Sequence, residues 1–291
     1  MAKFYAYCNN KKMDDSNGGA IILFHHLCAL EQLGHQNGGM LTVGMDYVPD
    51  DADYILFQSE WWNTLKPWLE LSRAKRICWL GHFNPSETKY GMPKLEDIQA
   101  NWFYTQWKGE CVEWAKEKIG KDIFYLPHAA CEVCNTEGKE ITNYHKAIFI
   151  GNHYPERSEG WLENVTMVQI PFQQAKDCYK SAIISPNLQG DFQKNVKTEF
   201  FQTPGEMIND RIFNVIMSGG FTISDNTPIV KEFFSNDEVP YAETKEQYQD
   251  LIKHFIQNPD ERLPYMEKAK KKIQENYTYK KYWEQFLNKI I

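Results

Sequence analysis

No apolar run in this 291-residue sequence approaches the length of a membrane span, and the opening MAKFYAYCNN lacks the apolar core of a secretory signal. Cysteine is sparse and odd in number. Seven residues do not close into a disulfide framework, which fits a reducing compartment, and a cytoplasmic protein is expected. His128, Cys131 and Cys134 approach metal-ligand spacing, but no second CxxC or HxxxH completes a zinc site. Two thiols in a connecting loop are the simpler reading. Excess positive charge is also missing. The formal net charge is −7, and residues 1–145 hold 14 Lys/Arg against 19 Asp/Glu. That balance gives no broad basic face and argues against nonspecific nucleic-acid binding. The basic run Lys268–Lys272 reads as the solvated side of an amphipathic helix. There is no internal repeat, no low-complexity tract, no Walker A sequence and no GxSxG elbow. SNGGA is too short a match for a dinucleotide fingerprint.

What is present is apolar and aromatic: 42% hydrophobic and 14% aromatic residues, enough for the cores of two ordinary domains. Trp61, Trp62, Trp79, Trp102 and Trp107 concentrate in the first half and read mainly as core. Strand signals at Lys3–Cys8, Met40–Val43, Asp53–Gln58, Arg76–Leu80, Trp102–Thr105 and Asp122–Leu126 alternate with helical stretches. This rhythm predicts a parallel sheet covered on both faces. His25 and His26 fall inside an apolar helix and read as core residues. Asp51 and Asp53 precede a buried strand, which disfavours a metal role. A polar stretch from Pro127 to Tyr144 reads as an interdomain linker. A second set of strands follows at Ala147–Ile150, Met167–Ile170, Ala182–Ile184, Phe221–Ile223 and about Pro240–Tyr241.

The run GEMINDRIFNVIMSGGFTISDNTPIVKEFF, residues 205–234, carries the most information. Met207, Ile208, Ile212, Val215 and Ile216 recur at helical spacing. Gly219 and Gly220 stop that helix, Phe221–Ile223 suits a buried strand, and Asp225, Asn226 and Thr227 lead into Pro228 at a helix start. Loops at the carboxyl ends of parallel strands are where α/β proteins bind ligands. By that rule Gly151, Asn152, Arg157, Asn187, Glu206, Asn214, Asp225, Asn226 and Thr227 are candidates, with Arg157 suited to a diphosphate. His82 follows a first-half strand in the same way and suits sugar contact or proton removal from an acceptor. Each residue also has a plain structural role available, as a turn, a cap or a surface ion pair; their joint placement at strand ends is the signal.

The segments FIGNHYPER (149–157), DRIFNVIMSGGFTISDN (210–226) and ENYTYKKYWEQFL (275–287) resemble the CgeB-like glycosyltransferase domain, within the GT-B transferases near retaining family 4. The likeness spans about Ala147 to Leu287, with YLPHAA (125–130) similar to the family's Leu-Pro segment. It implies an α/β GT-B fold: two Rossmann-like domains facing across a cleft, at 1–140 and 141–274, and a final helix, 275–291, returning to the first. It implies a nucleotide-sugar donor on the second domain and the acceptor on the first. The donor is a substrate, so no cofactor and no metal are expected, and the outcome is retaining. The acceptor would be a glycan, small molecule or protein, with nucleic acid a minority option. By position, Arg211 and Asn214 match the Arg and Glu of R-x-F-E, Gly219, Gly220 and Asp225 match the turn and acid that follow, and Glu206 matches the first acid of the E-x7-E pair. Asn214 departs from the family's Glu. It carries no charge and donates as well as accepts, which keeps a noncatalytic nucleotide- or sugar-binding protein as the alternative.

Overall fold

The computed structural model describes residues 1–8, 18–42, 47–81, 93–133, 136–141, 145–151, 159–189 and 206–290. The chain divides into two units. Unit 1 comprises Met1–Pro127, Asn195–Met207 and Tyr279–Ile291, and unit 2 comprises His128–Lys194 and Ile208–Thr278.

Unit 1 is built on strands β1 (Lys3–Cys8), β2 (Gln36–Thr42), β3 (Tyr54–Gln58), β4 (Lys75–Trp79), β5 (Trp102–Thr105) and β6 (Ile123–Tyr125). They pair in parallel in the order β2-β1-β3-β4-β5-β6. Parallel neighbours need crossovers, and α1 (Gly18–Gln32), α2 (Trp62–Leu71) and α3 (Glu110–Ile119) provide those from β1, β3 and β5. The central strands are apolar without alternation, as a sheet covered on both faces demands. Ile55, Leu56, Phe57, Ile77, Cys78, Phe103 and Tyr104 are all wholly buried.

Unit 2 repeats this winding with shorter strands. β7 (Ile148–Ile150) pairs with β8 (Thr166–Val168). On the other side of β7, Ala147 bridges Ile184, Asn187 bridges Ser224 of β9 (Ser224–Asp225), and β9 pairs with β10 (Tyr241–Ala242), all in parallel. The helices among the described residues are α4 (Phe172–Ser181), α5 (Asp210–Met217), α6 (Pro228–Phe233), α7 (Lys245–Gln257) and α8 (Leu263–Asn276). In both units the second strand lies outside the first and the third lies on the opposite side. The point where that order reverses is where open α/β sheets bind ligands.

The helix α9 (Tyr279–Ile290) belongs to unit 1, as the sequence leads one to expect of the final helix. Tyr279, Trp283, Phe286 and Leu287 recur on one face and are buried. His26 sits among the rings of Trp79, Tyr104, Tyr279 and Trp283, and its Nδ1 lies 2.8 Å from the Tyr104 hydroxyl. His25 and His26 are therefore core residues, as read. The returning segment starts at Tyr279 rather than 275, because α8 runs on to Asn276. The stretch read as a linker groups with unit 2 from His128 onward. Ala130 N–H donates to Tyr277 O (2.9 Å), Gly138 N–H to Ser218 O (2.9 Å), Lys139 N–H to Asp177 (2.8 Å) and Ile141 N–H to Ser181 (2.7 Å). Its backbone groups are satisfied by helix ends and side chains, so nothing in its polar composition marks it as packed.

Candidate functional site

The site begins with α5, in which every residue from Ile212 to Met217 is buried. Val215 packs with Ile148, Ile150 and Tyr179, while Ile212, Phe213 and Ile216 enter a different cluster with Ile229, Val230 and Ile273. A helix wedged between two cores leaves its polar residues little freedom. Gly219, at φ +79°, ends it in the left-handed conformation, and Gly220 N–H returns to Val215 O (2.9 Å). At the other end Asn209 caps the helix, its side chain accepting from Arg211 N–H at 3.0 Å.

Arg211 is thereby carried to the carboxyl end of β7. Its Nε donates to Ile150 O (3.1 Å), and its guanidinium carbon lies 4.0 Å from the centre of the Phe149 ring. Burial pushes the Tyr179 phenol of α4 up to about 12, although the charge of Arg211 opposes the shift. Gly151 follows β7 at φ +146°, and a Cβ there would come within 2.6 Å of Arg211 Nη2. The guanidinium occupies the space that a side chain at Gly151 would take. On the same helix turn Asn214 Nδ2 donates to Asp210 Oδ2 at 3.2 Å. Asn214 is buried and Asp210 half-buried.

Next along the edge comes a connected polar network. Asn187 Nδ2 donates to Ser224 Oγ (3.1 Å), and Ser224 Oγ to Asp225 Oδ1 (3.2 Å). Asp225 Oδ1 also accepts from Gln189 N–H (2.5 Å), and Gln189 Oε1 accepts from Asn209 N–H (2.7 Å). All five residues are buried. Beside these bonds Ser185 Oγ, Asn187 Oδ1, Asn209 Nδ2, Asn226 Oδ1 and Thr227 Oγ1 are buried with no hydrogen-bond partner among the described residues. An unmet buried polar group costs about 1–3 kcal/mol, so native proteins keep few without a use. Two hydroxyls, two carbonyl oxygens and one amide donor, none charged, match a neutral ligand edge of mixed donors and acceptors.

Unit 2 thus gathers Gly151, Asn187, Arg211, Asn214, Asp225, Asn226 and Thr227 from the sequence candidates. The Asp225 Oδ1 atom is engaged by protein groups, and Asn226 Nδ2 turns to Glu243 (2.9 Å). Glu206 groups with unit 1, where its backbone exchanges two hydrogen bonds with Lys108, at 2.7 and 3.0 Å. His82, Asn152, Arg157 and Cys134 lie outside the described residues. Gln189, Asn209 and Asp210 were not singled out as candidates by sequence. Asn209 had a visible signal, a capping-type residue just ahead of the apolar run; Gln189 had none. In unit 1 the matching edge is internally paired. Trp79 Nε1 donates to Gln106 (2.6 Å), while Gln106 Nε2 and Trp107 Nε1 both donate to Gly81 O (2.8 Å each).

A family model described as "Glycosyl transferase-like" matches residues 136–288. No curated protein matches the chain in sequence. Among solved structures, an α-glucosyltransferase in complex with UDP and a 13-mer DNA containing an HMU base gives a TM-score of 0.69 at 8% identity, covering 100% of both chains. The T4 phage BGT in complex with its UDP-glucose substrate gives 0.65 at 10% identity over 99% of each chain. A sucrose-phosphate synthase from Thermosynechococcus elongatus gives 0.58 at 10% identity, covering 99% of this chain and 98% of that one. At such identities the likeness is one of fold, and the fold is the GT-B α/β architecture expected from the sequence.

Proposed function

Because the chain belongs to the glycosyl transferase-like family, we propose that it transfers a sugar from a nucleotide-sugar donor, with the nucleotide held at the carboxyl edge of unit 2. The observation that carries this reading is the group of buried polar atoms unmet among the described residues of unit 2, the unit that also holds Arg211 at the carboxyl end of β7. A leaving diphosphate gathers negative charge as the glycosidic bond breaks. A fixed guanidinium stabilises that charge, and Arg211 is held by a carbonyl and an aromatic ring before any ligand arrives. The neutral atoms of Ser185, Asn187, Asn209 and Thr227 suit the uncharged parts of the donor. Gly151, Asn152, Arg157, Asn214, Asp225 and Asn226 complete the donor assignment, and Glu206 and His82 are assigned to the sugar and the acceptor. Metal independence, retention of configuration and the narrower kinship with CgeB-like transferases belong to the same proposal.

UDP-glucose is the first donor to try, since it is the substrate in the T4 phage complex. A thermal-shift screen against UDP, GDP, ADP and their sugars names the base, because a ligand that binds only the folded state raises its apparent stability. The shifting donor is then offered to glycans, proteins and duplex DNA containing an HMU base, the DNA carried by one structural neighbour. Transfer in the presence of a chelator, with the product anomer read by NMR, is the expected result. No shift with any nucleotide sinks the reading. A shift with neither transfer nor donor hydrolysis leaves a binding protein.

A further inference from the structure

We infer that Tyr248 is a positioning residue for the transfer reaction: its hydroxyl holds the main chain of Asn187, so that Asn187 Oδ1 presents a fixed acceptor to an N–H or O–H of the bound nucleotide. This rests on the nucleotide reading of unit 2. Between Ala182 and Gln189 the chain joins the sheet through two single bridges, Ala147 to Ile184 and Asn187 to Ser224. A segment so lightly laddered needs support from elsewhere, and α7 supplies it. Tyr248 Oη donates to Asn187 O at 2.9 Å, across 61 positions in sequence, and both residues are wholly buried. The phenol itself has little freedom. Its ring stands edge-on to Trp161, with centroids 5.3 Å apart, and the next residue, Gln249, donates from Nε2 to Trp161 O at 2.6 Å. The Asn187 amide is then oriented by its neighbours. Ser224 Oγ gives its proton to Asp225 Oδ1, so the Ser224 oxygen is left to accept, and Asn187 turns its NH2 toward it. Asn187 Oδ1 therefore faces away from Ser224, buried and with no partner among the described residues. Three bonds set one atom: Tyr248 holds the carbonyl of Asn187, Ile223 O accepts its N–H at 2.9 Å, and Ser224 holds its amide. An acceptor ordered in advance leaves less entropy to be lost on binding. Tyr248 acts through Asn187 and not on the ligand.

The test is a double-mutant cycle read by calorimetric titration of the full chain with UDP, GDP and ADP, using whichever binds wild type. Tyr248→Phe removes one hydroxyl and keeps the ring in its core. Asn187→Ala should weaken the nucleotide by about 2- to 10-fold, the worth of a hydrogen bond between neutral groups, and Tyr248→Phe by a similar factor. In the Asn187→Ala background, Tyr248→Phe should cause no further loss, because the atom it positions is gone. Phe255→Leu is the control for stability alone. It loosens the packing of α7 on Phe221, 4.6 Å away between ring centroids, and should leave nucleotide affinity at the wild-type value. Losses that multiply in the double variant overturn the positioning role and leave the nucleotide reading standing. So does wild-type affinity in Tyr248→Phe, or a loss of affinity in Phe255→Leu equal to that in Tyr248→Phe. Failure of wild type to bind UDP, GDP or ADP overturns the nucleotide reading, and the role of Tyr248 with it.

Discussion

Units 1 and 2 wind their parallel sheets in the same order and differ in how the described polar side chains at their carboxyl edges are paired. At the carboxyl edge of unit 1, Trp79, Thr105, Gln106 and Trp107 close on one another and on the carbonyls of Leu80 and Gly81. At the same edge of unit 2, five buried polar atoms have no partner among the described residues. Strand length follows the same division. In unit 1 β1 pairs along its whole length, whereas unit 2 holds its sheet together with two- and three-residue ladders and single bridges. On the proposed reading, the paired edge is scaffold and the unmet one receives the donor.

Four substitutions test that contrast. Trp283→Ala should have the largest effect. Trp283 is wholly buried and packs against His26, Tyr104 and Phe286. Its loss should cost about 3–5 kcal/mol in denaturant unfolding. A loss under about 1 kcal/mol would mean that unit 1 does not depend on α9. Arg211→Ala should weaken UDP affinity by about 10- to 100-fold with the far-UV spectrum unchanged; wild-type affinity would remove the cation from the unit 2 site. Gln106→Leu should destabilise by about 1–3 kcal/mol, because it strands the buried Trp79 indole N–H. Ser185→Ala should be the mildest and have the opposite sign. Removing an unmet hydroxyl should leave thermal stability equal or up to about 1 kcal/mol higher, while lowering nucleotide affinity. If Ser185→Ala destabilises the ligand-free protein as Gln106→Leu does, the two edges are alike and the contrast fails.

Much of the fold was legible because long apolar runs have few alternatives. Every strand expected in unit 1 formed, within a few residues of its expected limits, and Trp102–Thr105 matches at both ends. Helix α5 and its Gly219 stop were marked by apolar period and by glycine, two signals that agree. The linker reading did not anticipate that Ala130, Gly138, Lys139 and Ile141 hydrogen-bond within unit 2, because those contacts are made by backbone amides and leave no trace in side-chain pattern. The site was half legible. Strand-end position pointed to Gly151, Asn187, Asp225 and Thr227. It did not show that Arg211 would fill the space beside Gly151, or that Asp210 and Asn214 would pair, since both facts depend on which way α5 is rotated. That rotation is set by Val215 facing one core and Ile212 with Phe213 facing another. The placement of Glu206 beside Lys108 is a long-range backbone pairing and has no local signature.

Unit 1 takes its closing helix, Tyr279–Ile290, from beyond the whole of unit 2. A ribosome therefore delivers the first sheet early and its lid late. Until Trp283 emerges, the aromatic face around His26 and Tyr104 stays uncovered, a surface that chaperones recognise and that invites aggregation. The half begun first is finished last, and its maturation waits on the completion of unit 2.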